Sequence, residues 1–223
     1  MQEPPTNVNS PGGNTPLGFS PAMMMTFVAV QVEGGLAVLA IVIAYFAGIP
    51  LREMIMIAFE PKEFPTTFLF GILGVLPMIL FCRLVYQLPG KAVEFTRRFM
   101  KSVYHDFIRH CSVLQLFLIA LMSGIGEELL FRGVLQTMFT HWFGGETQGL
   151  IFGVLLTSIL FGLVHPINKL YVVLCFVIGV YLGLIFVWSG NLVVPIILHA
   201  AYNFVAFLAM PKLIGFSTFK TEV

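Results

Sequence analysis

Residues 123–133 read Ser-Gly-Ile-Gly-Glu-Glu-Leu-Leu-Phe-Arg-Gly and lie inside an apolar run that extends from 112 to 143. A charge at the centre of a membrane helix costs about 2.5–3.5 kcal/mol, so Glu127, Glu128 and Arg132 together cost roughly 8–10 kcal/mol before any pairing. A fold that accepts them must supply partners. Glu128 and Arg132 are four residues apart, on one helical face, with the glutamate on the N-terminal side as a favourable ion pair requires. Glu127 points about 100° away from Glu128, on a face shared with Ser123 and Gly124 one turn back and Phe131 one turn on. The missing side chain at Gly124 leaves room there for water or for a partner helix. The free carboxylate is therefore the candidate for chemistry, and the paired one the candidate for holding the helix in place.

The remaining sequence makes membrane burial the setting. Apolar residues are 58% of the 223 and charged residues 10%, with mean hydropathy +0.93, outside the usual soluble range. Apolar runs over 22–49, 66–86, 112–143, 150–165, 170–188 and 192–210 each approach the ~20 residues that a spanning helix needs. The predicted fold is all-α: a polytopic transmembrane helical bundle of about six spans with an interfacial amphipathic helix. Residues 1–21, rich in Pro, Gly, Asn and Ser, read as a solvated tail, and 211–223 as a second one. Residues 22–111 read as an N-terminal membrane hairpin with the interfacial helix, and 112–210 as a membrane core that carries the polar motifs. No Lys or Arg precedes Arg52, so the first apolar segment lacks the basic flank of a signal peptide and is expected to remain in the mature protein. Glu33, beside Gly34 and Gly35, is expected near one interface.

The stretch 83–109 holds six Lys/Arg against two in 50–65. Phe95, Phe99, Val103 and Phe107 recur in it at steps of four, the pattern of an amphipathic helix in the membrane interface. The positive-inside rule puts this stretch in the cytoplasm, with both termini on the same side of what is expected to be the cytoplasmic membrane. A net charge of +1 gives no reason to expect a nucleic-acid partner. Cys82, Cys111 and Cys175 have neither disulfide nor metal spacing and read as small apolar residues.

Two more polar sites interrupt the apolar runs. His199 and Asn203 are four apart and so share a helical face. His165 closes its run immediately before Pro166, which ends the helix. One internal cavity would satisfy all of these groups together. His105, His110 and His141 fall in or beside interfacial segments and are expected to be ordinary solvated residues.

Glu127-Glu128-x-x-x-Arg132, then Phe161-x-x-x-His165, then His199-x-x-x-Asn203, in that order on three apolar segments, resembles the CPBP family of CAAX-processing type II proteases and bacteriocin-processing (Abi) proteins. The resemblance covers roughly 112–208, and no motif position is missing. It implies an intramembrane endopeptidase, with Glu127, His165, His199 and Asn203 carrying the reaction and Glu128 and Arg132 supporting them. The implied partners are the bilayer and a peptide or protein substrate, CAAX-like and prenylated or bacteriocin-like.

Peptide hydrolysis needs an activated water and a stabilised oxyanion. Glu127 suits the general base with His165 beside the water, and His199 and Asn203 suit the oxyanion. The alternative is a zinc peptidase with Glu127, His165 and His199 as ligands, although HExxH is absent and the ligands would come from three segments. No metal is needed for the favoured chemistry. Proton-coupled transport also uses intramembrane Glu and His, but the internal repeat common among transporters is missing; a purely structural role would leave three polar clusters without a use. One geometric difficulty stands out. Glu127 falls deep in its run whereas His165 ends its own, so a tilted or broken third span and a fourth span that stops short are expected.

Overall fold

A computed structural model describes residues 20–215; the first expected tail falls almost wholly outside them, whereas the second, expected from 211, is helical as far as Leu213. Helix α1 (Pro21–Ala47) begins where the Ser20 hydroxyl accepts the Met23 N–H at 3.2 Å, with proline at its first position. It ends at Gly48, whose φ of 67° closes the last turn in the left-handed region. A short α2 (Leu51–Met56) follows, then α3 (Phe64–Leu73) and α4 (Val75–Gln87), which together make one apolar stretch. After α5 (Lys91–Asp106) comes α6 (Val113–Glu128), started by a reciprocal Ser112/Gln115 capping box. The chain continues without a break through a π-helical segment (Leu129–Gln136) into α7 (Thr137–Trp142). Three helices complete the core: α8 (Thr147–Leu163), α9 (Lys169–Ser189) and α10 (Val193–Leu213). No strand occurs among the described residues.

Five helical stretches, Ala22–Ala47, Phe64–Gln87, Val113–Trp142, Lys169–Ser189 and Val193–Leu213, are long and apolar enough to cross a membrane. The chain is a polytopic membrane protein. The fourth expected span, α8, has 17 residues and is about 25 Å long, short of the ~30 Å hydrocarbon thickness. It stops early, as the sequence requires of it. The third span does not break; at 30 residues it exceeds the bilayer core and accommodates its polar centre by widening to π geometry.

Glycines set how closely the helices approach. A Cβ on Gly126 would overlap the Glu33 carbonyl oxygen, so α1 and α6 cross backbone on backbone at that point. Glu33 therefore lies mid-span in the 27-residue α1 rather than near an interface. On the other side of α6, a Cβ on Gly124 would stand 2.9 Å from the Ile196 carbonyl. The room beside Gly124 is filled by α10, not by water. Gly149 and Gly153 bring α8 onto the Thr140 and Gln136 carbonyls, which fixes α8 against the π segment and α7.

Beside the core, α5 buries Val93 and Thr96 and packs Val103 against the cluster of Cys82, Tyr86 and Ile108. Phe95 and Phe99 stay exposed, consistent with a helix lying in the interface. Hydrogen bonding from Arg98, aided by the charges of Arg97 and Arg98, holds the Glu94 carboxyl below the usual carboxylate range. Asn168 ties α5 to the core: its amide donates to Thr96 Oγ1 at 2.8 Å, and its carbonyl accepts the Tyr171 N–H to cap α9.

Candidate active site

The central charges lie behind the site and not in it. Arg132 and Glu128 are completely buried, joined Nη1 to Oε1 at 2.8 Å. Arg132 also donates from Nη2 to the Gly179 carbonyl at 3.1 Å and stands 4.5 Å over the Phe161 ring. Gln136, four residues on, repeats the pattern by donating to the Gly183 carbonyl at 3.1 Å. The π segment thus presents two donors to two carbonyls of α9.

His199 approaches this pair from α10, with Nδ1 2.7 Å from Glu128 Oε1. A carboxylate only accepts, so the proton of that bond is on Nδ1. One glutamate oxygen therefore receives both Arg132 and His199, and it fixes the imidazole with Nε2 as its remaining polar atom.

Glu127 has separate partners. Its Oε1 accepts from the Ser123 hydroxyl at 2.9 Å, and Ser123 Oγ in turn accepts from Asn203 Nδ2 at 3.1 Å. Its Oε2 is buried with no hydrogen-bond partner and lies 3.9 Å from His165 Nε2. His165 reaches this depth because α8 ends at Leu163 and Pro166 prevents another turn. Its Nδ1 is 2.7 Å from the Phe161 carbonyl, which cannot donate, so Nδ1 carries the proton and Nε2 is left as an acceptor. The two histidines are held alike, each by Nδ1.

Glu127, His165, His199 and Asn203 all line one cavity of about 230 Å³, together with Tyr171 and Tyr202. Glu128 and Arg132 do not line it. Sequence reasoning left three participants without a role. Ser123 joins Glu127 to Asn203, yet a serine among small residues reads as helix packing. Phe161 lies between Arg132, His165 at 4.9 Å and His199 at 6.0 Å, yet a phenylalanine in an apolar run carries no signal of its own. Tyr202, bonded to Cys82 Sγ at 3.0 Å, could have been found from its place one turn after His199.

The zinc alternative has suitable donor types in Glu127, His165 and His199. Among the described residues, however, no three His, Cys, Asp or Glu side chains are gathered as a metal site.

Comparison with known proteins converges on the same stretch. The family model described as type II CAAX prenyl endopeptidase Rce1-like matches residues 109–205. That segment is similar to the Rce1-like family. It contains Ser123, Glu127, His165, His199 and Asn203 of the cavity lining, together with α6, the π segment, α8, α9 and the first half of α10. The chain is also similar to "Uncharacterized protein YpbD" of Bacillus subtilis (strain 168), 35% identical over 40% of this chain and 41% of that protein. A second relative is an "Uncharacterized 24.3 kDa protein" of Escherichia coli, 30% identical over 50% of this chain and 52% of that protein. The chain thus spans about half the length of the curated relatives it matches. No solved structure matches.

Proposed function

We propose that the chain is an intramembrane endopeptidase of the CAAX type II kind, in which Glu127 activates water without a metal. The observation that carries this reading is the pair formed by the buried, unpartnered Oε2 of Glu127 and the acceptor Nε2 of His165, 3.9 Å away on one cavity wall. A water about 2.8 Å from each atom completes a triangle with them. It donates one hydrogen to the carboxylate and one to the imidazole, which turns its oxygen lone pairs toward a substrate carbonyl. Glu127 takes the proton as the carbon–oxygen bond forms and returns it to the leaving amine as the peptide bond breaks. Asn203 has a second amide hydrogen for the oxyanion. His199, with Nδ1 bound to Glu128, donates there from Nε2 as an imidazolium, with Glu128 as its counter-charge.

The substrate in this reading is a membrane-bound peptide or protein, with a CAAX-like tail, prenylated or not, or a bacteriocin-type peptide. The basic helix α5 and both termini face the cytoplasm. The test uses purified protein and a quenched fluorogenic peptide with a farnesylated Cys-aliphatic-aliphatic-X tail, run beside the unprenylated peptide and a bacteriocin-leader peptide. Cleavage is expected to disappear in Glu127→Gln and to withstand a strong chelator. Cleavage that survives Glu127→Gln ends the general-base assignment; loss on chelation with recovery on adding zinc replaces it with metal chemistry.

A further inference from the structure

Glu33 is the one charged residue in α1, and that helix lies outside the stretch matched to the family. A carboxyl at such a depth is costly, and an intramembrane acid with no role is hard to retain. Its Oε2 is buried without a hydrogen-bond partner, as is Oε2 of Glu127. The two residues arise from touching backbone, because the Glu33 carbonyl occupies the space above Gly126, the neighbour of Glu127. Their side chains are within electrostatic reach of one another and of His199. Two ionised carboxylates cannot bond directly, and a buried acceptor left unsatisfied is costly. One water answers both, with a hydrogen for each oxygen.

We propose that Glu33 is a positioning residue of the site, a bridging water joining its buried oxygen to Oε2 of Glu127 and holding the base toward His165. This rests on the endopeptidase reading above. Ser123 holds Oε1 of Glu127 from one side, and the Glu33 water holds Oε2 from the other. The carboxylate keeps its orientation through turnover, while the second lone pair of Oε2 serves the hydrolytic water. Helix α1 thereby contributes to catalysis without touching the substrate.

The experiment measures kcat, KM and thermal stability of the full chain in lipid nanodiscs, with the farnesylated peptide as probe. Glu33→Leu removes the bridge, and Glu33→Asp shortens it while keeping the charge. Both are expected to lower kcat by about 10- to 100-fold through misplacement of the base, with KM unchanged within about twofold. Glu33→Gln, whose amide oxygen still accepts from water, is expected to remain within about threefold of wild type. Wild-type kcat in Glu33→Asp and Glu33→Leu overturns the proposal. So does a Glu33→Gln enzyme as slow as Glu33→Leu, or a loss that appears in KM alone. Should Glu33→Leu not fold, the Asp and Gln variants decide between the same outcomes. Activity in Glu127→Gln would instead remove the endopeptidase mechanism, whatever the Glu33 variants do.

Discussion

Replacing Arg132 with methionine tests what the buried charges contribute. The guanidinium is fully buried, and its nearest partners are Glu128 at 2.8 Å, the Gly179 carbonyl at 3.1 Å and the Phe161 face at 4.5 Å. Methionine fills comparable volume, so the cavity term is small, and the main effect is that Glu128 remains buried with His199 as its only ring or cationic partner. Breaking one side of a buried pair costs about 3–5 kcal/mol, and the lost bond to Gly179 adds about 0.5–1.5 kcal/mol. Glu128→Gln combined with Arg132→Met removes both charges and is expected to return to within about 1–2 kcal/mol of wild type, since neutral replacement of a buried pair is often tolerated. The assay is equilibrium unfolding by SDS titration in mixed micelles, followed by helicity, over the full double-mutant cycle. A single Arg132→Met that costs less than about 1 kcal/mol, or a double variant no more stable than that single one, refutes the reasoning. Turnover should not recover with stability, because His199 Nδ1 then meets an amide in place of a carboxylate.

Asn203→Ala removes both the proposed oxyanion donor and the bond to Ser123, and turnover should fall by about 10²–10³ with residual activity above that of Glu127→Gln; equal activity to wild type in the peptide assay contradicts the oxyanion assignment. Gly126→Ala forces a methyl against the Glu33 carbonyl, and because the obstacle is backbone, the expected destabilisation is about 1–3 kcal/mol or more. The same SDS titration measures it, and an unchanged midpoint would mean that α1 does not cross α6 at that residue.

The polar motif was legible because lipid makes charge conspicuous. Glu128 and Arg132 announce their pairing by spacing alone, and the helical offset of Glu127 separates it from them. The shortness of α8 followed from Pro166 and from the need for His165 to meet Glu127. Other features had no local signal. The π geometry of Leu129–Gln136 arises from tertiary demands, above all the alignment of Arg132 and Gln136 with α9, and residue propensity does not encode it. Glu33 looked interfacial on the reading that the true span begins later in the run, whereas α1 starts at Pro21 and leaves it central. The Asn168–Thr96 bond joins residues 72 apart in the chain, a distance over which pattern reasoning has no reach.

A π segment stores chain length: it fits more residues into a given rise than an α-helix does. Losing one residue between Leu129 and Gln136 would change both the winding and the rise of the stretch and so rotate everything after it relative to α6. Thr140 would then swing away from Gly153, and α8 would lose the seat that sets the height of His165. Point changes can be absorbed along this stretch, but the number of residues in it is a dimension of the fold, as fixed as the spacing of teeth on a gear.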